Sequence, residues 1–121
     1  MASKKTLVLG ASDNPQRYSY LALNKLKAYG HQVFAVGKKE SLVNDIAIRR
    51  STPAIENVDT ITLYLNPTNQ VPYYEYILSL KPKRIIFNPG TENPELAALA
   101  KKAGILSVEG CTLVMLSSNQ Y

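Results

Sequence analysis

The sequence predicts an α/β fold in which a mainly parallel, five-stranded sheet is covered by helices on both faces. Two kinds of segment alternate along the chain: short runs rich in Val, Ile and Leu, and longer stretches whose apolar residues recur at helical spacing. Strands that alternate with helices in this way build β-α-β units. We therefore predict an open, doubly wound sheet of the Rossmann type.

The first strand is predicted at residues 6–9, where four apolar or β-branched residues precede Gly10. A helix follows from about Ser19 to Gly30, because glycine is a common C-terminal stop. The residues of this helix that recur at helical spacing are Ala22, Leu23, Leu26 and Tyr29. A second strand is predicted at 32–36.

The segment at 38–57 has the weakest periodicity, and we predict an irregular crossing there with a short strand or helical turn near 46–48. A third strand is predicted at 60–65. The turn Asn66-Pro67-Thr68 then caps a helix that runs to about Leu80. Its predicted buried stripe consists of Tyr73, Tyr74, Ile77 and Leu78.

The fourth strand is predicted at 84–87, and the helix after it begins with Asn93 as N-cap and Pro94 in the first turn. Gly104 ends this helix, whose predicted inward residues are Leu96, Leu99, Ala100 and Ala103. The last strand is predicted at 105–108, followed by a turn at 110–112 and a short apolar tail at 113–116.

The bulk composition predicts one cytoplasmic domain over residues 1–121, since 45% of the residues are hydrophobic and no run is long enough to cross a bilayer. Cys111 is the only cysteine, which excludes an internal disulfide and a cysteine-built metal site. The 14 basic and 9 acidic residues give a net charge of +5. This excess suits a small phosphorylated ligand and is too modest to require nucleic acid.

The turn Gly10-Ala11-Ser12 is the predicted phosphate site, because ligands of doubly wound sheets bind at the carboxyl ends of the strands. Small residues let the backbone approach a diphosphate, and the amides of the next helix favour anions. The dinucleotide fingerprint is incomplete, however, since only the first of its three glycines is present. The alternative is a tight strand-to-helix turn with no ligand.

A second indication follows Gly37, where Lys38 and Lys39 stand at the end of the second strand. An NAD site expects an acidic residue there, whereas lysines suit a ribose that carries an additional phosphate, as in NADP or coenzyme A (CoA). The alternative interpretation is a solvated pair of charges in a loop.

These motifs resemble those of the small CoA-binding proteins, whose domain also forms the N-terminal part of the succinyl-CoA synthetase α subunit. The resemblance covers nearly the whole chain and rests on segments at successive strand ends: 10–15 with Arg17, Ser19 and Tyr20, then 36–39, Pro67, 87–90 and 110–112. The loop after the second strand, Gly37-Lys38-Lys39, departs from the family, which often has Asn-Pro-Lys there. That departure leaves the choice between Lys38 and Lys39 open.

The resemblance implies a ligand-binding role for each of these loops. Gly10, Ser12 and the adjoining loop would hold the diphosphate of CoA, and Arg17 with Lys38 or Lys39 would meet phosphates. The adenine and pantetheine ends would be bordered by the later loops. The predicted binding residues are Gly10, Ala11, Ser12, Asn14, Pro15, Arg17, Tyr18, Tyr20, Gly37, Lys38, Lys39, Leu65, Pro67, Asn88, Pro89, Gly90 and Cys111.

Three residue types raise the question of catalysis. His31, the only histidine, is predicted on the surface beside a helix C-terminus, away from the ligand. Cys111 is either a half-buried packing residue or a thiol close to that of CoA. Tyr18 and Tyr20 either pack in the core or cover the ligand. No acid pair or Ser-His-acid pattern is evident, so we predict no catalytic and no metal-binding residues.

The leading hypothesis is a non-catalytic module that binds CoA or an acyl-CoA, with a protein partner or a homo-oligomer as further possibilities. The alternative is a component of an NADP- or other nucleotide-dependent oxidoreductase, which shares the fold. A third hypothesis is a subunit-interaction protein, supported only by the apolar tail at 113–116.

Overall fold

The computed structural model of the chain describes residues 3–121. Seven strands in this range form one sheet: β1 (Thr6–Ala11), β2 (Val33–Gly37), β3 (Ser41–Val43), β4 (Ile46–Arg49), β5 (Thr60–Leu63), β6 (Arg84–Phe87) and β7 (Leu106–Glu109). The strand order is β3-β4-β2-β1-β5-β6-β7. Only the β3–β4 pair is antiparallel, and all other neighbours run parallel. The predicted α/β fold class is therefore confirmed.

Five helices and one 3₁₀ turn lie among the described residues: α1 (Tyr18–Ala28), α2 (Pro67–Gln70), the 3₁₀ turn Val71–Tyr73, α3 (Tyr74–Leu80), α4 (Pro94–Lys102) and α5 (Thr112–Ser117). One face of the sheet packs against Ile77 of α3 and Leu96 of α4. The other face packs against Leu23 and Leu26 of α1 and Leu116 of α5. Both faces are thus covered, as a largely parallel sheet requires.

The predicted count of five strands is wrong, because the segment at 38–57 contains two strands. The short segment near 46–48 is β4, which extends the sheet beyond β2. The strand β3 was not predicted, and it returns to β4 through Asn44 and Asp45, whose φ angles are 46° and 69°. Positive φ angles at two consecutive residues are typical of a two-residue hairpin turn. Asn and Asp tolerate such φ angles better than most residues do.

The single helix predicted from Asn66 to Leu80 is also wrong, since α2 and α3 are separated by the 3₁₀ turn. Pro72 lies in that turn and has no backbone N–H to donate, so a regular helix cannot continue through it. Asn66 caps α2 as predicted, because its side chain accepts a hydrogen bond from the Asn69 amide. The tail at 113–116 is helical and belongs to α5.

Two residues predicted to face inward are exposed. Tyr29 is 41% exposed, and Ala103 also lies on the surface. Both follow the last residue of their helix as its C-cap, so the helical spacing that places α1 and α4 residues on the sheet no longer applies to them. Asn93 caps α4 through bonds from the amides of Glu95 and Leu96, as predicted.

His31 is buried rather than on the surface, with 5% of its area exposed. It lies at the amino-terminal edge of the sheet, where its Nδ1 accepts a 2.9 Å hydrogen bond from the Lys4 amide. The centre of its ring lies 4.8 Å from that of the buried Tyr121 ring. Burial lowers the pKa of His31, and the positive charges of Lys4 and Arg84 lower it further.

This environment predicts a loss of stability in mild acid. The unfolded state takes up a proton below a pKa of about 6.5, whereas native His31 resists protonation until a lower pH. The free energy of unfolding should therefore fall as the pH drops below that value. In His31→Gln, whose amide oxygen can replace Nδ1 as acceptor, urea unfolding at pH 7.5 and 5.5 should show a smaller difference. Equal pH dependence in both proteins would contradict this assignment.

Candidate functional site

A cleft of about 710 Å³ opens at the carboxyl-terminal edge of the sheet. It lies above β1, where the strand order reverses: β2 pairs with one side of β1 and β5 with the other. Such a reversal leaves room between the loops that follow the two strands, and ligands of doubly wound folds bind there. Eleven of the seventeen predicted residues line the cleft: Gly10, Ala11, Ser12, Arg17, Tyr18, Gly37, Lys38, Lys39, Leu65, Pro89 and Gly90.

Two glycines allow the strands below the cleft to approach closely. Gly10 has a φ of +94°, and a Cβ atom there would lie 2.9 Å from the backbone carbon of Tyr64. At Gly37, a Cβ atom would overlap the carbonyl oxygen of Ala11. Side chains at these positions would push β1 away from β5 or β2. Both glycines therefore fix the position of the loop that begins after Ala11.

The loop between β1 and α1 is held by its own hydrogen bonds. The Ser12 hydroxyl accepts a bond from the Asn14 amide, and the Asn14 side chain accepts one from the Gln16 amide, each at 3.0 Å. The Arg17 amide donates to the Asn14 carbonyl. Asn14 and Pro15 thus shape the loop while their side chains lie outside the cleft lining. The Ser12 hydroxyl hydrogen remains available to a ligand.

The beginning of α1 also faces the cleft. Arg17 is its N-cap, no side chain within residues 3–121 caps the helix, and Tyr18 and Ser19 line the cleft. The first amides of a helix have no acceptor within the helix, and the helix dipole is positive at this end. Together with the Arg17 guanidinium, these amides form a site suited to a phosphate group.

Lys38 and Lys39 lie on the opposite wall, where β2 ends. Lys39 Nζ is 3.1 Å from Asp13 Oδ2, and the same oxygen accepts a 2.8 Å hydrogen bond from the Ser41 hydroxyl. The Ser41 hydrogen bond and then Lys39 hold the pKa of Asp13 below its usual value. Asp13 is therefore a carboxylate at neutral pH and ties the first loop to β3.

The third wall is formed by the chain after β5 and β6, including Tyr64, Leu65, Tyr73 and Thr91. Gln70 is fully buried behind it, and its Nε2 donates to the carbonyls of Leu65 and Thr91 at 2.8 Å each. This amide joins the two loops that border the cleft. Burial raises the pKa of Tyr64 to about 12, so its phenol stays protonated at neutral pH.

Six predicted residues lie outside the cleft lining: Asn14, Pro15, Tyr20, Pro67, Asn88 and Cys111. Asn88 is 2% exposed, and its side chain bonds to Thr62, to the Leu63 carbonyl and to the Thr112 amide. Tyr20 packs against the core below α1. Cys111 is the half-buried N-cap of α5. Pro67 begins α2 and is exposed on the surface.

Asp13 and Ser19 lie in segments on which the family resemblance rests, but they were not among the predicted binding residues. The lining residues outside that prediction are Asp13, Ser19, Ser41, Ile48, Tyr64, Asn66, Asn69, Pro72, Tyr73 and Thr91. Tyr64 and Asn66 follow β5 directly, so the strand-end rule that selected Leu65 could have found them. Ser41 and Ile48 belong to the hairpin that the sequence did not reveal. Pro72 and Tyr73 belong to the 3₁₀ turn between α2 and α3, which was not predicted.

Neither a metal-binding cluster nor a membrane-spanning helix is present in residues 3–121. They contain no cluster of three or more His, Cys, Asp or Glu side chains arranged to hold a metal ion. No helix in the same range is long and apolar enough to cross a membrane.

The chain is similar to several proteins of known structure. An uncharacterized protein of known crystal structure is 55% identical in sequence to this chain. The two structures superpose with a TM-score of 0.97, and the match covers 100% of both chains. A hypothetical protein from Pyrococcus horikoshii OT3 shares 23% identity, with 98% of this chain and 84% of that chain covered and a TM-score of 0.86. The comparison with curated proteins gave no match.

The same fold occurs within a larger enzyme, the dinucleotide-forming acetyl-coenzyme A synthetase of Ca. Korarchaeum cryptofilum, solved with phosphate and ADP. Identity to it is 15% and the TM-score 0.70, with 89% of this chain but 26% of that chain covered. The family model described as a CoA binding domain matches residues 4–117. The chain therefore belongs to the family of CoA-binding domains.

Proposed function

We propose that this protein binds coenzyme A or an acyl-CoA in the cleft as a non-catalytic module. The observation that carries the proposal is the convergence of three cationic groups and free helix amides on one cleft. Arg17 and the start of α1 lie on one wall, and Lys38 and Lys39 lie on another. A diphosphate at Ser12 would face both walls.

The charges favour a ligand with several phosphates. Among the residues that the structure describes, the cleft lining contains three basic side chains and one carboxylate, that of Asp13, which is paired with Lys39. CoA carries a diphosphate and a ribose phosphate, and both would be placed near cationic groups. NADP has a comparable set of phosphates, so the lysines alone suit either ligand. Membership in the family of CoA-binding domains supports CoA.

The side chains in and around the cleft support binding rather than catalysis. The Tyr64 phenol stays neutral at ordinary pH, since its pKa is raised to about 12. His31 lies at the opposite edge of the sheet, and Cys111 is outside the cleft lining. The described lining residues thus include no histidine or cysteine. We further propose a reducing compartment such as the cytoplasm, where the single thiol of Cys111 stays free.

A thermal-shift comparison tests the proposal. CoA, acetyl-CoA, dephospho-CoA, NAD and NADP are each added at equal concentration. A ligand that binds only the native state, present at 100 times its Kd, adds about 2.7 kcal/mol to the free energy of unfolding. We expect CoA and acetyl-CoA to raise Tm by several degrees, dephospho-CoA to raise it less and NAD not at all.

Two outcomes would contradict the proposal. A shift with NADP and none with CoA would support the oxidoreductase alternative, and no shift with any of the five compounds would remove the case for a nucleotide site. Lys102→Ala is the matched control for a lysine outside the cleft, because Lys102 is exposed in the last turn of α4. This variant should show the wild-type order of ligands.

A further inference from the structure

The two lysines that follow β2 differ in their surroundings. Lys39 is paired with Asp13, whose carboxylate also accepts the Ser41 hydrogen bond. Among the described residues, no carboxylate lies within ion-pair distance of Lys38. The next acidic residue, Glu40, is occupied elsewhere: its carboxylate accepts a 2.6 Å hydrogen bond from the Arg50 amide. Only one of the two lysines therefore has an uncompensated charge.

Because of the Asp13 carboxylate, Lys39 attracts a phosphate less strongly than Lys38 does. A phosphate at Lys39 would also approach Asp13, and repulsion between the two anions would offset part of the attraction. Protonation cannot relieve this repulsion at neutral pH, because the pKa of Asp13 is already lowered. A phosphate at Lys38 meets a cation with no such neighbour.

The Asp13 interactions also have a structural role. Asp13 belongs to the loop after β1, whereas Lys39 belongs to the β2–β3 connection and Ser41 is the first residue of β3. The ion pair and the hydrogen bond therefore join two walls of the cleft. Each bond is partly exposed to solvent and weak by itself, but together they limit how far the two loops can separate.

We infer that Lys38 contacts the ribose phosphate of CoA, whereas Lys39 is a positioning residue that Asp13, itself bonded to the Ser41 hydroxyl, holds away from that phosphate. The inference rests on the proposed function and assigns different roles to the two lysines. In the same arrangement, Asp13 limits the affinity of the cleft for the ribose phosphate, because it neutralises one of the available cations.

The test is the ratio of two dissociation constants, Kd for dephospho-CoA divided by Kd for CoA. Both are measured by isothermal titration calorimetry at one fixed ionic strength, since salt screens exposed charges. For the wild type we expect a ratio of about ten, as for one charge-assisted contact. Lys38→Ala should reduce the ratio to nearly one. Lys39→Ala should keep it, even where both ligands bind more weakly.

Asp13→Asn provides an independent check, because it removes the charge that holds Lys39 while changing little else in size. We expect the ratio to stay at the wild-type value or rise, since Lys39 becomes free to meet the phosphate. Lys102→Ala is the control and should leave both constants unchanged. The salt dependence of CoA binding should also weaken in Lys38→Ala and persist in Lys39→Ala.

Other results would overturn the inference. A ratio near one in Lys39→Ala or in Asp13→Asn would mean that Lys39, held in place by Asp13, is the lysine that contacts the ribose phosphate. A wild-type ratio in Lys38→Ala would exclude Lys38 as the contact. Each of these results leaves CoA binding intact and so contradicts only the roles of the two lysines. Failure of the wild type to bind either ligand would instead overturn the proposed function, and this inference with it.

Discussion

The Gly37→Ala substitution is expected to lower the free energy of unfolding by about 3 kcal/mol and to abolish ligand binding. The added methyl group would overlap the Ala11 carbonyl oxygen and lie 3.0 Å from a methyl group of Ile48. Relief requires β1 and β2 to separate at their carboxyl ends. That movement would displace Ser12 and the loop that we expect to hold the diphosphate. Urea unfolding and calorimetry with CoA measure the two effects.

Gly110→Ala is the matched control for this experiment. Gly110 also follows a strand of the sheet, but a Cβ atom there would lie 3.5 Å from Met115 and 3.8 Å from Val108, which are ordinary packing distances. We expect a change of less than about 0.5 kcal/mol and unchanged binding. If Gly37→Ala were as mild as Gly110→Ala, the close approach of β1 and β2 would not be required for the fold or the site.

Asn88→Ala is expected to destabilise the protein by about 3 kcal/mol while changing Kd for CoA little, at temperatures where the protein is folded. The Asn88 side chain donates to the Thr62 hydroxyl and the Leu63 carbonyl and accepts from the Thr112 amide, at 2.7 to 2.9 Å. These groups are buried, so the loss of the amide leaves a donor unsatisfied. Urea unfolding measures the stability, and calorimetry measures Kd.

Asn69→Ala is the matched control, because it removes an asparagine side chain that lines the cleft instead of one that bonds to buried groups. Asn69 lines the cleft on an exposed turn of α2, and its backbone amide, rather than its side chain, bonds to Asn66. Its replacement should change the free energy of unfolding by less than about 0.5 kcal/mol. A result in which Asn88→Ala is equally mild but binds CoA much more weakly would restore Asn88 to the ligand site.

The main parallel strands could be predicted because their signal is local. The strand at 84–87 coincides with β6, and the Asn93 cap with Pro94 marks the start of α4. The β3–β4 hairpin was missed because β3 has three residues and its turn, Asn44-Asp45, lacks the glycine typical of such turns. The interruption at Pro72 was readable in the sequence, since proline disrupts a helix interior.

The location of the candidate site could be predicted from the sequence, but most of its individual side-chain contacts could not. Strand ends identify the loops that meet at the cleft, but they do not reveal which side chain turns inward. Asn88 follows β6 as the prediction required, yet its amide is used to join β5 to the start of α5. The pairing of Lys39 with Asp13 depends on two loops that are 26 residues apart along the chain, and it follows from no local pattern.

The most direct test of the CoA site is a titration of the ¹⁵N-labelled protein with CoA, followed through its glycine amide signals. Gly10, Gly37 and Gly90 line the cleft, whereas Gly30 and Gly104 follow helices α1 and α4 at the opposite edge of the sheet. We predict that the signals of the first three glycines shift in a saturable manner and that those of the other two do not. Shifts confined to Gly30 and Gly104, or no shift at any glycine, would contradict a CoA site in this cleft.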